Sequence, residues 1–475
     1  MSSIGPETDI VRLDLRITSE SYRYRVPIKF GGRVVHDATV LNVEAACETR
    51  GGRRVDFPDA SGGQGAGPTS CGFGSMTLGV AWAWPDPAVS DATRLQVVTR
   101  LCERFVADIL SDCPVGHPLE ICHHQSLRRD AIAREVATEF GLTNPIPALA
   151  ILLAASPIEA AIFDVHGKAA GRSSFELLGR DFVSSDLSAY LGADYRGLYL
   201  DQFVSVKPKP TMPLYHLVGA LDPLIDADVK SPAGDGLPET LQQWIVRDGL
   251  THLKIKLAGD DLQWDADRVI GVHCAAHTSG RASRNPSGLK GEHPYTYSLD
   301  FNERCDSESY VLDLLEQISG RDERALGCVA YIEQPTHRDL AAHPENTMHR
   351  VAQRLPVVID ESLVDLASLR LAVQQGYSGV ALKACKGHSE ALLMAAVAQH
   401  ENLYLCVQDL TCIGASLLHS ASLAAHIPKV AAIESNGRQF CPAGNAAWRD
   451  HYPRMFDVQD GVLPTACLSG PGLGY

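Results

Sequence analysis

The second half of the chain alternates between short apolar runs and longer segments whose apolar residues recur at helical spacing. Such runs predict buried strands, and apolar residues three and four positions apart predict amphipathic helices. Eight strand-like runs begin at Pro213, His252, Tyr297, Val329, Val357, Gly379, Leu403 and Val430. The starts lie 22 to 45 residues apart, enough for one strand, one helix and two loops. The pattern predicts a (β/α)8 barrel of the TIM type, and a doubly wound open sheet is the alternative.

The first part of the chain has a different pattern. Alternating strands are predicted near 11–17 and 39–48, and helices near 92–111 and 129–180. The sequence therefore predicts an α+β capping domain over residues 1–180 and a barrel over 181–436. Residues 437–475 contain no further βα unit, and we expect them to pack back on the capping domain.

Two segments interrupt these patterns. The Gly- and Ser-rich stretch from Ala60 to Gly74 predicts a flexible loop, and it lacks the G-K-[ST] ending of a phosphate-binding loop. The irregular stretch from His277 to Pro294 falls between a helix and the next strand. Loops of that kind lie on the barrel face opposite the active site, so we expect a surface or assembly feature there.

Composition and charge narrow the class of protein. The 475 residues suffice for one barrel of about 250 residues and a second domain. A formal net charge of -15 argues against nucleic-acid partners, which are bound through clustered Lys and Arg. The N-terminus does not resemble a secretory signal, and the apolar run from Ile146 to Ala155 is too short to cross a bilayer, so it predicts a buried helix. Thirteen cysteines without a C-x-x-C pair predict reduced thiols in a cytoplasmic protein, and Cys122-His123-His124 is interpreted as structural.

Charged and amide side chains stand at the carboxyl ends of five consecutive predicted strands, where barrel enzymes place their catalytic groups. These side chains are Lys254 and Lys256, Asp300 and Asn302, Glu333, Asp360 and Glu361, and Lys383. Because side chains alternate along a strand, Lys254 and Lys256 point the same way. Asp300, Glu333 and Asp360 come from neighbouring strands, so their carboxylates would repel one another without a cation. Oxygen ligands of this kind suit Mg2+.

The lysines flank these carboxylates, with Lys256 on one side and Lys383 on the other. A lysine acts as a base near neutral pH only when burial or a cationic neighbour lowers its pKa to about 7 to 8. Lys254 is such a neighbour for Lys256. The alternative is that the lysines only neutralise the acidic cluster.

The order K-x-K, D-x-N, E-Q-P, D-E and then a lysine 23 residues after Asp360 resembles the enolase superfamily. Within it, the order is similar to the muconate lactonizing enzyme-like subgroup of the mandelate racemase/muconate lactonizing enzyme family. Residues Ser156 to Gly179 also resemble the helix that joins this family's capping domain to its modified enolase-type barrel. The resemblance implies that Asp300, Glu333 and Asp360 bind Mg2+, or Mn2+ in its place. It further implies that Lys256 and Lys383 are an acid/base pair, with Lys254 near the substrate carboxylate.

Other positions bear on the subgroup and the substrate. The mandelate racemase subgroup has a catalytic histidine where this chain has Val407-Gln408-Asp409, and His419 and His426 are interpreted as core or surface residues. Dipeptide epimerases of the family have a D-x-D pair where this chain has Glu434-Ser435-Asn436. Glu434 and Asn436 are candidates for substrate binding together with Asn302 and Glu361, although Glu434 as an interior ion-pair partner is equally open. Tyr22 to Gly32 and Gly51 to Gly74 are expected to be loops that close over the site.

The resemblance implies abstraction of the proton next to a substrate carboxylate through an enediolate. The leading interpretation is a racemase or epimerase of an amino-acid-like or hydroxy-acid substrate. Cycloisomerisation or syn-dehydration, of the muconate cycloisomerase or o-succinylbenzoate synthase type, needs the same groups, and a non-catalytic metal-binding barrel is the alternative from another class. The expected partners are a small carboxylate and further copies of the chain, with no nucleic acid or membrane.

Overall fold

The computed structural model describes residues 5–30, 33–58, 70–112, 115–279 and 294–475. Two sheets organise this part of the chain, one antiparallel with four strands and one parallel and closed. The antiparallel strands are β1 (Ile10–Phe30), β2 (Arg33–Thr49), β3 (Arg54–Val55) and β4 (Gly72–Thr77). β2 lies in the middle of this sheet and pairs with each of the other three strands.

Strand β1 is longer than the sequence pattern predicts. It pairs with β2 along almost its whole length, with a register shift between Arg23 and Ile28. The expectation of a loop from Tyr22 onward is therefore wrong as far as Phe30, because the backbone there belongs to a hairpin arm. The far end of the hairpin reaches the barrel, where Arg25 Nη2 donates a hydrogen bond of 2.9 Å to Asp235 Oδ1.

The Gly-rich segment is likewise only partly a loop. Residues 59–69 of the predicted loop lie outside the described residues, but Gly72 to Gly74 form the start of β4. β4 packs against the longest helix of the domain. Because Gly72 and Gly74 have no side chains, the strand can approach this helix closely. The predicted loop is therefore wrong for this last part, and the loop expected from Gly51 is also wrong at Arg54–Val55, which form β3.

Among the described residues of the N-terminal domain, five α-helices accompany the sheet. They are α1 (Val80–Ala83), α2 (Asp91–Ser111), α3 (Pro118–Ser126), α4 (Arg129–Glu139) and α5 (Ala148–Ala170). Helix α5 continues through Pro157, which has no N–H to donate to the carbonyl of Leu153. Ser156 Oγ donates to that carbonyl at 3.1 Å instead, so the chain passes the proline without leaving the oxygen unpaired.

The 23 residues of α5 are long and apolar enough to cross a membrane by length and composition alone. Of its 18-residue apolar window, 89% is buried inside the protein, as is typical of a core helix. The predicted buried helix is thus confirmed, and it continues through Pro157 to Ala170.

The eight predicted strands of the second half form a closed parallel barrel. They are β5 (Met212–Val218), β6 (His252–Lys256), β7 (Thr296–Asp300), β8 (Val329–Glu333), β9 (Val357–Ile359), β10 (Gly379–Leu382), β11 (Tyr404–Val407) and β12 (Ile433–Glu434). Each strand pairs with the next, and β12 pairs with β5. This closure confirms the predicted barrel and rules out the open sheet. A buried cluster from six of the strand segments fills the interior, formed by Tyr215, Tyr331, Val358, Ala381, Cys406 and Ala432.

Helices alternate with the barrel strands as the βα pattern predicts, and further short helices precede β5 and follow β12. They are α6 (Ser188–Leu191), α7 (Leu241–Asp248), α8 (Leu262–Thr278), α9 (Glu308–Arg321), α10 (Glu323–Gly327), α11 (His349–Ala352), α12 (Leu366–Gln374), α13 (His388–His400), α14 (Ala415–His426), α15 (Gly437–Phe440), α16 (Ala446–Arg449) and α17 (Pro453–Phe456). Polar N-caps fix several starts, as where the Asp365 side chain accepts from Ser368 N at the start of α12. Of the irregular stretch predicted after α8, residues 280–293 lie outside the described residues.

The C-terminal residues contact both the barrel and the N-terminal domain. Strand β13 (Val462–Leu463) pairs antiparallel with β5. Leu473 N donates to Asp164 Oδ1 at 2.8 Å in α5, and Tyr475 Oη donates to the carbonyl of Phe73 at 3.2 Å in β4. These contacts agree with the expected packing, whereas the predicted domain boundaries stay a prediction.

Candidate active site

Three charged side chains lie at one level at the carboxyl end of the barrel. The strand register places Lys256 beside Asp300, and Asp300 beside Glu333. Asp360 follows β9 directly, and Lys383 follows β10 directly. The carboxylates are almost fully buried, while the Lys256 side chain is 12% exposed. The predicted site residues of strands β6 to β10 are thus brought together.

The ammonium group of Lys254 lies at the centre of the site. Its Nζ is 2.7 Å from Glu333 Oε1, 3.0 Å from Asp300 Oδ2 and 3.0 Å from Glu434 Oε2. It also donates to Gln408 Oε1 at 2.8 Å. Burial disfavours this charge, but the surrounding carboxylates outweigh burial and raise the pKa of Lys254 well above its usual value. Lys254 therefore stays charged and joins side chains from both halves of the barrel.

Each of the two flanking lysines also contacts a carboxylate. Lys256 Nζ donates to Asp300 Oδ2, and Lys383 Nζ lies 2.7 Å from Asp360 Oδ2. Burial alone would lower the pKa of Lys383, but the Asp360 carboxylate raises it. Lys383 is therefore charged in this structure, because its nearest charged group is an anion.

The acidic groups divide into two kinds. Burial raises carboxyl pKa values, yet the ammonium groups of Lys256 and Lys254 outweigh it at Asp300 and lower that pKa. Lys383 has the same effect on Asp360. Glu333 differs, because burial and the adjacent Asp300 carboxylate raise its pKa well above the usual value. Its buried Oε2 atom has no hydrogen-bond partner among the described residues.

The residues fit a divalent cation by donor type but not by their present spacing. Asp300, Glu333 and Asp360 supply the oxygen ligands that Mg2+ prefers, and the unpaired Oε2 of Glu333 is an available ligand atom. Within the described residues, however, no group of three His, Cys, Asp or Glu side chains is arranged to hold a metal. Ammonium groups stand between the carboxylates, so a cation would take over contacts that Lys254 and Lys256 now make.

The candidates for substrate binding on β7 and β9 contact each other and the N-terminal domain. Asn302 Nδ2 donates to Glu361 Oε1 at 3.2 Å. The same oxygen accepts from Trp82 Nε1 at 3.0 Å, and Trp82 belongs to helix α1. Burial and the Asp360 and Asp300 charges raise the pKa of Glu361 to about 7. A side chain of the capping region therefore reaches the level of the carboxylates.

The candidates after β12 are held by internal contacts. Glu434 is an ion-pair partner of Lys254, as one of its two interpretations expects, whereas its role in substrate binding stays a prediction. Asn436 Nδ2 donates to Glu434 Oε1 at 3.1 Å, and Asn436 N donates to Asp409 Oδ2 at 2.7 Å. Glu434, Asn436 and Asp409 thus connect the segments that follow β11 and β12.

A family model for enolase C-terminal domain-like proteins matches residues 236–475, which is half of the chain. The chain belongs to the enolase superfamily. Its mandelate racemase/muconate lactonizing enzyme-like character, indicated by the strand-end motifs, is supported by the relatives and neighbours of the same branch.

One curated relative is an aromatic dipeptide epimerase from Herpetosiphon aurantiacus, 27% identical over 216 residues, which are 45% of this chain and 54% of that protein. The chain thus matches about half the length of this relative. A muconate lactonizing enzyme from Pseudomonas fluorescens, solved with muconolactone, has 18% identity and a TM-score of 0.58, with 98% and 96% of the two chains covered. A dipeptide epimerase from Enterococcus faecalis V583, solved with Mg and L-Leu-L-Tyr, has 16% identity and a TM-score of 0.57, with 98% and 99% covered. These structures show that the enolase-superfamily fold extends over nearly the whole chain.

Several contacts in this enolase-superfamily site were not predicted. Lys386 Nζ donates to the carbonyl of Asp360 at 2.6 Å, and its position three residues after Lys383 was an available signal. Gln408 joins Lys254 to Tyr331, whose hydroxyl accepts from Gln408 Nε2 at 2.6 Å. Trp82 carried no local signal, because only the tertiary fold brings α1 to the barrel.

His419 is a buried core residue, as interpreted, and its Nε2 lies 2.9 Å from Nδ1 of His388.

A cavity of about 420 Å3 opens beside the site and includes Lys256 and Asn302 in its walls. Ala220, Leu221 and Trp264 also line it, and they are shared with a larger neighbouring cavity of about 900 Å3 under the Arg25 end of the hairpin. Lys256 is therefore the predicted acid/base residue nearest to open space.

Proposed function

We propose that this enolase-superfamily member is a divalent-cation-dependent racemase or epimerase that moves the proton next to the carboxylate of a small acid. The arrangement of the lysines carries this proposal. Lys256 contacts Asp300 on one side of the carboxylate cluster, and Lys383 contacts Asp360 on the other. Two lysines on opposite sides allow a proton to be removed from one face of a carbon and returned to the other. The partial relationship to an aromatic dipeptide epimerase supports isomerase chemistry.

Asp300, Glu333 and Asp360 would hold Mg2+, or Mn2+, through carboxylate oxygens. Bound there, the cation would supply positive charge to oppose the negative charge that develops on the substrate carboxylate. One lysine amine takes the α-proton, so that a C–H bond breaks and an N–H bond forms. The ammonium group of the other lysine donates a proton to the opposite face of the same carbon. No net proton is consumed, and the two lysines exchange roles in the reverse reaction.

The proposed role of Lys254 differs from that of the flanking lysines. It is 2% exposed and bound to three carboxylates and an amide, so it has no free position for a proton from the substrate. Its charge is placed to balance Glu333 and Glu434. We therefore propose Lys256 and Lys383 as the acid/base pair. We propose that Lys254 instead neutralises the buried carboxylates around it.

The contacts after β12 bear on the type of substrate. The amide oxygen of Asn436 is buried without a hydrogen-bond partner among the described residues, but it carries no charge. Both carboxylate oxygens of Glu434 already have internal partners, so neither side chain offers a free anionic group to a substrate ammonium. This favours a hydroxy acid or an amino-acid derivative with an uncharged nitrogen over a free dipeptide. Cytoplasmic location and assembly into a homo-oligomer stay predictions.

The test is proton exchange in D2O with Mg2+, followed by NMR as loss of the α-proton signal. The pools are amino acids, N-acylamino acids, dipeptides and sugar acids, and calorimetry measures Mg2+ binding in parallel. We expect exchange with or without inversion in one pool, and loss of both exchange and Mg2+ binding in Asp300→Asn. No exchange in any pool, with Mg2+ bound, would contradict the racemase and favour cycloisomerisation or syn-dehydration, which need the same lysines. Normal turnover in Asp300→Asn would contradict the metal assignment.

A further inference from the structure

Trp82 is the residue through which the capping region contacts the predicted acid/base machinery. It lies in the short helix α1 (Val80–Ala83), which follows strand β4 of the N-terminal sheet. Its side chain is 6% exposed, although α1 is only four residues long and its neighbour Ala81 is half-buried. The burial comes from the barrel, since the indole points into the carboxyl ends of β9 and β10.

The face of the indole covers two lysines. Lys383 Nζ lies 4.2 Å from the centre of the Trp82 ring, and Lys386 Nζ lies 5.8 Å from it. Both distances are within the range in which an ammonium group is attracted to the face of an aromatic ring, and Trp is the most favourable partner. The ring therefore adds a second contact to the ion pair with Asp360, so that two contacts restrict the position of the Lys383 Nζ atom.

The edge of the indole is fixed separately. Trp82 Nε1 donates to Glu361 Oε1 at 3.0 Å, and Asn302 donates to the same oxygen. An indole N–H inside a protein normally finds an acceptor, and here that acceptor is the residue next to Asp360. The ring thus cannot rotate away from Lys383 without losing this hydrogen bond.

The backbone of Trp82 is held as well. Its carbonyl accepts from Arg338 Nη1 at 3.1 Å. Arg338 Nε in turn donates to both carboxylate oxygens of Glu303, at 2.8 and 3.0 Å. Glu303 has a positive φ of 64°, which is a strained conformation for this residue type. Ring face, ring edge and backbone of Trp82 are therefore each bound by a different barrel segment.

From these contacts we infer that Trp82 is a positioning residue for Lys383, and that it couples the placement of the capping domain to proton transfer on one face of the substrate only. The inference rests on the proposed function, because it gives Lys383 a proton to move. Lys256 has its own contact with Asp300 and no contact with Trp82, so the two faces respond differently to a change at Trp82.

The first experiment needs no substrate. The rate at which acetic anhydride modifies Lys383 is measured by peptide mass spectrometry in the wild type, Trp82→Leu and Trp82→Phe. We expect the rate to rise on the order of tenfold in Trp82→Leu and to remain near the wild-type value in Trp82→Phe, which keeps an aromatic face. Trp244→Leu is the matched control, because Trp244 is also a buried indole over cationic groups, those of Arg247 and Arg438, but is not in contact with the site. An unchanged Lys383 rate in Trp82→Leu overturns the inference.

The second experiment distinguishes positioning from general structural damage. Deuterium exchange is followed separately for the two enantiomers of the substrate found in the D2O screen, and Lys256→Ala and Lys383→Ala identify which enantiomer each lysine serves. We expect Trp82→Leu to slow kcat on the order of tenfold for the Lys383 enantiomer with little change for the other, and Trp82→Phe to restore most of it. Equal losses for both enantiomers overturn the inference. If the wild type exchanges no acid, the proposed function fails, and the labelling experiment alone decides the position of Lys383.

Discussion

A single buried ammonium group, that of Lys254, joins side chains that follow or end four other strands of the barrel. Its partners are Asp300 on β7, Glu333 on β8, Gln408 after β11 and Glu434 on β12. Buried ion pairs of this kind are weak evidence for net stabilisation, because desolvation opposes the attraction. Removing only one partner is different, since it leaves the remaining charges buried and unpaired. The importance of Lys254 for folding is therefore separable from the importance of the flanking lysines for chemistry.

Lys254→Met should lower the free energy of unfolding by about 3 to 5 kcal/mol, the range for an uncompensated buried charge. Urea unfolding followed by circular dichroism measures this change. Lys256→Met is the matched control, because Lys256 has one carboxylate partner, is 12% exposed and should cause a smaller loss. Saturating Mg2+ should return part of the stability to Lys254→Met, since the cation would neutralise the same carboxylates. A loss below about 1 kcal/mol for Lys254→Met would mean that the carboxylates find other compensation.

Strand β4 and helix α5 approach each other so closely that only glycine fits between them. A Cβ atom on Gly74 would lie 2.0 Å from the carbonyl oxygen of Pro157 and 2.7 Å from Ala161 N. A Cβ atom on Gly72 would lie 2.4 Å from the Cβ atom of Val165. Both contacts at Gly74 are with helix backbone, which cannot rotate away as a side chain could. This pair of elements supports the start of α1, and with it Trp82.

We expect Gly74→Ala to destabilise the protein by about 1 to 3 kcal/mol, because the added methyl group forces β4 and α5 apart. Gly320→Ala in helix α9 is the control, since a Cβ atom there meets nothing within 4 Å and alanine is favoured in helices. Thermal unfolding of the two variants should give a lower midpoint for the first and an equal or higher one for the second. Equal midpoints for Gly74→Ala and the wild type would contradict the close approach.

The sequence predicted the parts of the fold that depend on local patterns. It missed the parts that depend on contacts between residues far apart in the chain. The barrel strands were found because alternating strands and helices leave a local pattern, and strand ends such as Asp300 and Glu333 follow from that pattern. The same reasoning placed a loop at Gly74, because Gly and Ser are common in loops. Strand β4 includes Gly74 because β4 packs so closely on α5 that only a residue without a side chain fits. Helix α5 begins over 70 residues later in the sequence, so no local pattern shows this contact. Trp82 was missed for the same reason.

The chain as a whole buries many neutral histidines. Seven buried histidines have lowered pKa values because burial disfavours the charged ring, and they are His117, His166, His216, His252, His388, His419 and His426. They lie in the capping region, in the barrel and in the helices between them. His388 and His419 share a hydrogen bond of 2.9 Å between ring nitrogens, so one ring must donate and the other accept. A second proton on the accepting ring would leave two N–H groups facing each other.

These histidines make the folded protein sensitive to mild acid. Burial lowers the pKa of His419 to about 4, whereas an unfolded histidine titrates near 6.5. Above pH 6.5 both states are neutral and the stability is fully present. As the pH falls from 6.5 towards 4, the unfolded state binds the proton first and the folded state loses stability. The half-buried carboxyl group of Glu390 acts in the opposite direction, because loss of solvent contact raises its pKa to about 7. The total pH dependence therefore combines two effects.

The contribution of one histidine is isolated by a variant that cannot titrate. Between pH 6.5 and 4 the wild type should lose about 1.4 kcal/mol per pH unit relative to His419→Gln, up to roughly 3 kcal/mol, whereas above pH 7 their difference should be constant. Urea unfolding of both proteins at half-unit steps of pH measures this difference. His451→Gln is the control for the substitution itself, because His451 is exposed. A difference between the wild type and His419→Gln that does not vary with pH would show that the His388 and His419 rings can accept a proton inside the folded protein.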